Sequence, residues 1–369
     1  MEIVFMQLSA ITKRNIFRII PFGIIWLVFG ALFLWIEAVA IGDQDNKLDT
    51  AIRLEPDIVI FALLLITLIG LLVGLVELVF LNRLFERKSF AVKIISKFLV
   101  YAAFFFLLIF VSFQIAASME LDISIFDRRV WERYVDFFFS PTNASAMVQL
   151  SFHLLVSLLY AEISENLGQN VLLNFFTGKY HKPIAETRIF MFADMKDSTS
   201  IAEQLGHIQY FELLKAYYFD FSNAIVKNHG EVYQYIGDEI VISWKLKNGI
   251  NKNNCIQCFF DMKADLLKRK ENYLEKYKVF PDFKAGLHFG EVTTGEIGAL
   301  KKEIFFTGDV LNTTARIQGL CNAYGVDLLV SKNLIDQMEF GDEYSVKTLG
   351  KPQLKGKIDA FDLATVSLA

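Results

Sequence analysis

The chain has 369 residues, of which 54% are hydrophobic, 14% aromatic and only 21% charged, with 36 phenylalanines and a mean hydropathy of +0.38. That composition excludes a disordered, collagen-like or disulfide-scaffold protein, and it is too apolar for two or three ordinary soluble domains. A net charge of −4 offers no basic field to nucleic acid, and the three cysteines, Cys255, Cys258 and Cys321, all fall in the second half and suit a reducing compartment.

Four apolar stretches account for the excess: residues 19–36, 58–76, 98–119 and 145–161. Each approaches the roughly 20 residues that cross a hydrocarbon core, and none looks like a short signal peptide. The reading is four transmembrane helices in residues 1–161, weighed against buried core helices. The charged, aromatic stretch 126–139 suits the membrane interface. Orientation follows from the cations. Lys13, Arg14 and Arg18 precede the first span, and Arg83, Arg87, Lys88, Lys93 and Lys97 fill the loop between the second and third, whereas the loop 42–57 is mostly acidic. The positive-inside bias therefore puts both termini, and everything after Glu162, in the cytoplasm, against the weaker pull of Arg128, Arg129 and Arg133. Glu37, Glu77 and His153 are candidate functional groups within the membrane, with bundle-facing packing the competing reading.

Residues 162–183 read as a cytoplasmic connecting helix ending at Thr177-Gly178, then a linker that stops before Pro183. The remainder, 184–369, mixes strands and helices. Residues 188–193 (RIFMFA) form a buried strand closed by Asp194. Ser198-Thr199 caps two helical stretches split near Gly206, the longer ending at 228–230. Residues 231–236 and 239–244 flank Gly237-Asp238 as a hairpin. Then follow a helix over 253–277, strands over 283–289 and 290–298 separated by glycine-permitted turns, a helix over 310–323 and a strand over 328–331. The order implies an α+β sheet of ferredoxin-like type behind an α-helical membrane bundle.

Asp194 ends one strand and Asp238 sits in the hairpin turn. Either alone reads as a cap or turn residue, but two carboxylates at adjacent strand ends can share divalent cations, which take hard oxygen ligands and bind polyphosphates jointly with protein. The segment from Met195 to Ser198 and Thr199 leads into a helix N-terminus, where backbone N–H groups favour phosphate.

The segments FADMKDST (192–199), YQYIGDEIVISW (233–244), AGLHFGEVTTGEIG (285–298), FTGDVLNTTARIQ (306–318) and LKGK (354–357) together resemble the catalytic domain of class III nucleotidyl cyclases, in that family's order and spacing. The resemblance covers residues 185–366 and leaves the membrane half without a counterpart beyond the layout of membrane-anchored bacterial cyclases. It implies a homodimer with two composite active sites. Asp194 and Asp238, with Met195 beside them, would hold two Mg2+ or Mn2+ ions that activate the ribose 3′-hydroxyl and bind the triphosphate. Asn312 and Arg316, from the other protomer, would orient the ribose and stabilise the α-phosphate. Ser198, Thr199 and Lys355 would meet the phosphates.

The base-reading positions depart from the family. Adenylyl cyclases usually carry Lys four residues before the second metal Asp, and Asp or Thr seven before the Asn; here these are Gln234 and Phe305. A Gln amide both donates and accepts, so it can match adenine or, turned over, guanine. Phe305 can only pack, which leaves discrimination to neighbours such as Glu303 or Thr307 on its strand face. Guanylyl cyclases usually have Glu at the first position, which Gln234 does not match. ATP is the expected substrate, converted to cyclic AMP and pyrophosphate, with GTP use or relaxed specificity as the alternative.

IGDEI (236–240) also resembles the signature of diguanylate cyclases, but that family has no pair like Asn312 and Arg316. A catalytically silent cyclase fold serving membrane signalling is opposed by the filled catalytic positions. Cys255-Cys258 has redox or zinc half-site spacing but lies in a helix, so packing is expected. Asn143-Ala144-Ser145 is a sequon beside a span. His181 and His207 lack an evident ligand partner, and no Walker loop or Rossmann fingerprint occurs. The bundle, in contact with lipid, could sense a lipophilic ligand or a membrane partner, or simply anchor the enzyme.

Overall fold

The computed structural model describes residues 10–41, 56–85, 88–167, 172, 174, 177–353 and 361–369. Contacts divide the chain into two compact units, one of residues 15–176 and one that includes 177–369.

The first unit is helical: α1 (Ala10–Ile41), α2 (Pro56–Val76), α3 (Phe90–Leu121), the short α4 (Arg128–Phe138) and α5 (Pro141–Leu167). Four of these helices are long and apolar enough to cross a membrane, over Ile16–Ile36, Val59–Leu81, Phe90–Met119 and Asn143–Glu165. Large apolar side chains such as Phe61, Leu64, Phe80 and Leu99 point outward, while Glu77, Lys97, Gln114, His153 and Glu162 are buried. The interior is otherwise apolar, built on Phe22, Trp26, Leu154 and Leu158, and it is the large apolar outer surface that distinguishes this bundle from a water-soluble one and suits a hydrocarbon surround. α1 and α2 meet closely because Gly70 and Gly74 leave room for the rings of Trp26 and Phe22.

Two cations assigned to a loop from the sequence lie elsewhere. Lys93 and Lys97 stand within α3, and they are there because they have partners. Lys97 donates to Glu77, which sits in a π-helical turn (Glu77–Leu81) continuing α2, and Lys93 donates to Glu162 of α5 at 2.9 Å. Lys97 also lies 3.9 Å from Glu162, and the Tyr101 hydroxyl donates to the Val73 carbonyl at 3.1 Å beside them. Glu77 thus faces the bundle. His153 does so too: its Nδ1 donates to the Gln149 carbonyl at 2.7 Å, and its ring lies 4.9 Å from that of Trp26, whose indole N–H donates to Ser157. The side chain of Glu37, and Arg83 and Arg87 of the basic loop, lie outside the described side chains.

The second unit is one mixed sheet with helices on it. β1 (Ile184–Met195) leads to α6 (Ser198–Lys227), the hairpin β2 (Glu231–Ile236) and β3 (Glu239–Lys245), and then α7 (Asn254–Lys268) and α8 (Lys270–Tyr277). After these come β4 (Phe283–Ile297), β5 (Glu303–Thr307), α9 (Asp309–Gly319), β6 (Leu328–Ser331), β7 (Tyr344–Gly350) and β8 (Leu363–Leu368). The strand order is β2-β3-β1-β4-β6-β8-β7, with β5 on the far half of β4. The segment β2-β3-β1-β4, antiparallel throughout, is the ferredoxin-like core. α6 and α7 cover one face, burying Leu213, Tyr217, Phe221, Phe259 and Met262 against Ile189, Met191 and Ala193. α9 lies on the other face, over Phe190, Phe192, Val241 and Val292.

Four expectations change. β4 is one continuous strand of 15 residues rather than two. Its glycines serve close approach instead of turns, since Val310 of α9 packs on Gly290 and Pro183 on Gly295. The helix over 253–277 breaks at Arg269, the one over 310–323 breaks at Leu320, and β5, β7 and β8 extend the strand order. The split at Gly206 is present, with φ +72° there.

Removing one member of a buried ion pair strands the other in an apolar interior, at a cost of about 3–5 kcal/mol. Lys97→Met should therefore lower the unfolding midpoint of the detergent-solubilised full chain, and the double variant Glu77→Gln/Lys97→Met should recover most of the loss. Equal destabilisation by both would mean that the ion pair is not what holds Glu77.

Candidate active site

The site grows from the end of β1. Ile189 to Ala193 are buried strand residues, and hydrophobic burial on both faces fixes the strand up to Asp194, the first residue to regain partial exposure. Asp194 pairs in register with Glu239 of β3 on one side and Lys284 of β4 on the other. Side chains directly opposite across antiparallel strands share a face, so these three project together on the α9 side. Lys284 Nζ lies 3.6 Å from Asp194 Oδ2, and the Gln318 amide of α9 donates to the same oxygen at 3.2 Å.

Asp238 arrives through the β2–β3 turn. Gly237 takes φ +62°, a left-handed conformation that costs glycine nothing, and its carbonyl accepts from the Tyr218 hydroxyl at 2.8 Å. The ring of Tyr218 of α6 also packs, tilted, 4.6 Å from that of Tyr235, so the helix braces the turn. The structure therefore brings Asp194 and Asp238 within hydrogen-bonding reach of each other. Burial first, and the Asp238 charge second, push the Asp194 carboxyl above the usual carboxylate range, with Lys284 and Gln318 only partly opposing them. Burial and the same two aspartates push Glu239 up to about 7.

Met195, buried, and Lys196 follow Asp194 toward the N-terminus of α6. Lys196 is drawn aside into a four-charge cluster: it pairs with Asp282 at 2.8 Å and with Asp327 at 2.5 Å, and Lys263 pairs with the same two aspartates. Ser198 and Thr199 form the first helical turn, Ser198 pairing with the Tyr210 hydroxyl and Thr199 exposed.

Asn312 and Arg316 are not brought to the two aspartates by their own chain. α9 is seated against β4 by Gly286, where any side chain would collide with the Gln318 backbone, and it turns Val310, Thr314 and Ile317 inward. Asn312, exposed, and Arg316, half-buried, lie on the opposite side of that helix. Arg316 has no ion-pair partner among the described residues. Gln234 and Phe305 are both exposed, each next to a member of the Tyr233–Phe306 pair, whose rings lie 4.8 Å apart. Phe305 pairs with Gly295 across β4–β5. Lys355 lies outside the described residues.

Among the described residues no group of three or more His, Cys, Asp or Glu side chains is arranged to hold a metal ion. Two do come together, and their chemistry fits a hard cation. They are paired carboxylate oxygens whose repulsion one lysine and one amide do not cancel, with the remaining coordination left to main-chain oxygen, water or phosphate. Lys284, Gln318, Glu239 and Tyr218 were not anticipated from the sequence. Alternation alone puts Lys284 on the α9 face of its strand, but its neighbourhood with Asp194 comes only from the register of β1 on β4.

The family model for the adenylate and guanylate cyclase catalytic domain matches residues 180–365. Adenylate cyclase 2 of Rhizobium meliloti (strain 1021) is 32% identical over 206 residues, which cover 56% of this chain and 56% of that protein. Retinal guanylyl cyclase 2 of Homo sapiens is 27% identical over 172 residues, covering 45% of this chain and 15% of that one. A solved structure of a bacterial light-regulated adenylyl cyclase shares the fold, with a TM-score of 0.51 at 20% identity, covering 61% of this chain and 64% of the other.

The raised carboxyl of Glu239 has a consequence for stability. The folded state holds a proton on it up to about pH 7, against an ordinary value of 4.5, so between those limits the folded state binds more protons than the unfolded one. Stability from this group therefore falls as pH rises through that window and is lowest above it. In chelator, Glu239→Gln should raise the melting temperature at pH 8 and leave it unchanged at pH 4. An equal shift at both values would show that Glu239 is not charged against its neighbours.

Proposed function

Because the chain belongs to the family of adenylate and guanylate cyclase catalytic domains, we propose that it is a membrane-anchored adenylate cyclase, converting ATP to 3′,5′-cyclic AMP and pyrophosphate. The observation that carries this reading is the Asp194–Asp238 carboxylate pair, held in mutual repulsion at the ends of β1 and the β2–β3 turn. Residues 184–369 are assigned as the catalytic domain, 162–183 as the connection and 1–161 as the membrane domain. The basic residues flanking the first span, and Lys88 after the second, favour a cytoplasmic catalytic domain and termini.

The two carboxylates, with the Met195 carbonyl beside them, would hold two Mg2+ or Mn2+ ions, which when bound supply Lewis-acid activation of the ribose 3′-hydroxyl and neutralise the triphosphate. Every other part of the task falls to the chain's own groups. Lys284, aimed at Asp194, offers a cation to phosphate oxygens once the carboxylate is otherwise engaged. The N-terminal turn of α6, with Ser198 and Thr199, presents backbone N–H groups to phosphate. Asn312 and Arg316 face away from the carboxylates of their own chain and are unencumbered, which supports their acting on a second protomer's site in a homodimer. There Asn312 would hold the ribose, and Arg316 would stabilise charge developing on the α-phosphate. Lys355 would meet the departing pyrophosphate. Gln234 and Phe305 would line the base, with Gln234 donating to and accepting from the adenine edge.

Two assays on the purified full chain with Mn2+ test this. Cyclic AMP should form from ATP faster than cyclic GMP from GTP; a clear GTP preference would reverse the substrate assignment. Asp238→Ala and Arg316→Ala should each lower kcat by roughly 100-fold or more, while a mixture of the two variants recovers part of the activity, since a mixed dimer retains one intact composite site. No recovery on mixing would place both groups in a site made by one chain.

A further inference from the structure

The segment that leads into β1 is fastened to the catalytic unit before the strand begins. Residues 178–181 form a turn, with Gly178 at φ +63° and the His181 N–H donating to the Gly178 carbonyl at 3.1 Å. Tyr180 in that turn is only 2% exposed. Its carbonyl accepts from the Glu296 N–H of β4 at 3.0 Å, and its hydroxyl lies 3.3 Å from Glu186 Oε1. His181 Nδ1 sits 2.9 Å from the Glu296 carboxylate, and Pro183 packs on Gly295.

Those contacts fall on two residues that β5 grips from the other edge. Gly295 pairs with Phe305 and Glu296 with Ile304, so the incoming segment and the Phe305 strand flank the same stretch of β4. A second path runs through side chains. Glu186 accepts from Thr294 Oγ1 at 2.7 Å and pairs with Arg188 at 3.2 Å, and the Arg188 guanidinium lies 4.6 Å over the ring of Phe306. The Phe306 N–H donates to the Tyr233 hydroxyl at 3.4 Å, next to Gln234. Both paths start at Tyr180, and they end beside Phe305 and beside Gln234. Buried, interlocked groups of this kind move together or not at all, because close packing leaves few intermediate arrangements.

We propose that Tyr180 is a positioning residue for the nucleotide base: seating the end of the connecting segment on β4, it sets the placement of Phe305 and Gln234, so that a shift of the connecting segment is read as a change in base binding. The inference rests on the cyclase reading and on the assignment of those two residues to the base. It concerns a residue remote from the carboxylate pair, so its effect belongs in KM and in nucleotide preference rather than in the chemical step.

The test uses the full chain in membranes, with ATP and GTP as substrates. Tyr180→Ala empties the seat, and Tyr180→Phe keeps the ring while losing the hydroxyl link to Glu186. Tyr180→Ala should raise KM for ATP about fivefold and shift the ATP-to-GTP ratio of kcat/KM about threefold, with kcat for ATP within about twofold of the parent. Tyr180→Phe should move the same quantities in the same direction by about twofold. Amide hydrogen exchange over residues 293–307 should quicken in Tyr180→Ala. A fall in kcat with KM and ratio unchanged, or no change in any of them, overturns the proposal. If Tyr180→Ala does not fold, Tyr180→Phe decides: a kcat-only effect or none at all overturns it. A parent chain that makes neither cyclic nucleotide removes the cyclase reading instead, and the exchange of 293–307 then decides by itself whether Tyr180 holds the β4–β5 hairpin; unchanged exchange overturns that hold.

Discussion

Two carboxylates pressed together at neighbouring strand ends are the constraint around which the catalytic unit is arranged. Left to themselves, Asp194 and Asp238 would move apart, since like charges this close repel; burial and then the Asp238 charge push the Asp194 carboxyl above its ordinary range. They stay because the backbone under each is over-determined. β1 is buried from Ile189 to Ala193, and the β2–β3 turn is tied to α6 by Tyr218. Lys284 and Gln318 soften the repulsion without removing it. The sheet core thus supplies the stabilisation, and the site carries the strain. A cation between the carboxylates, as proposed above, would convert that strain into affinity.

The first unit solves the opposite electrostatic problem. Its charges are few and of both signs, and the bundle brings Glu77, Glu162, Lys93 and Lys97 together across α2, α3 and α5. In an apolar surround an isolated charge is expensive, and pairing inside the bundle is how it is accommodated. The π-helical turn at Glu77 is part of that accommodation, because an added residue in one turn rotates the side chain relative to the helix before it.

Much of this was legible in the chain. The four long apolar helices, the β2–β3 hairpin with Asp238 at its turn, the buried strand that carries Asp194 near its end and the break at Gly206 all follow from local pattern, because burial periodicity and turn chemistry act over a few residues. The strand itself runs longer at both ends, over Ile184–Met195. Two of the misreadings share one cause. Glycines 290 and 295 look like turn signals in a linear sequence, yet they mark places where α9 and Pro183 approach β4. Lys93 and Lys97 look like loop cations, yet each has a carboxylate partner on another helix. In both cases the meaning of the residue depends on what stands opposite it.

The amino-acid sequence by itself determined which part of this chain is apolar enough to cross a membrane and which is not, the order of its elements around the two aspartates and the family motifs they belong to, since each of these depends on composition or on neighbours within a turn or two. Only the tertiary structure decided which residues surround the aspartates and which way α9 faces. Lys284 meets Asp194 through strand register, Gln318 reaches it because Gly286 lets α9 lie close, and Asn312 and Arg316 are turned outward by the same seating. Register and helix seating are set by packing between segments distant in the chain, and local sequence carries no record of the distance between them.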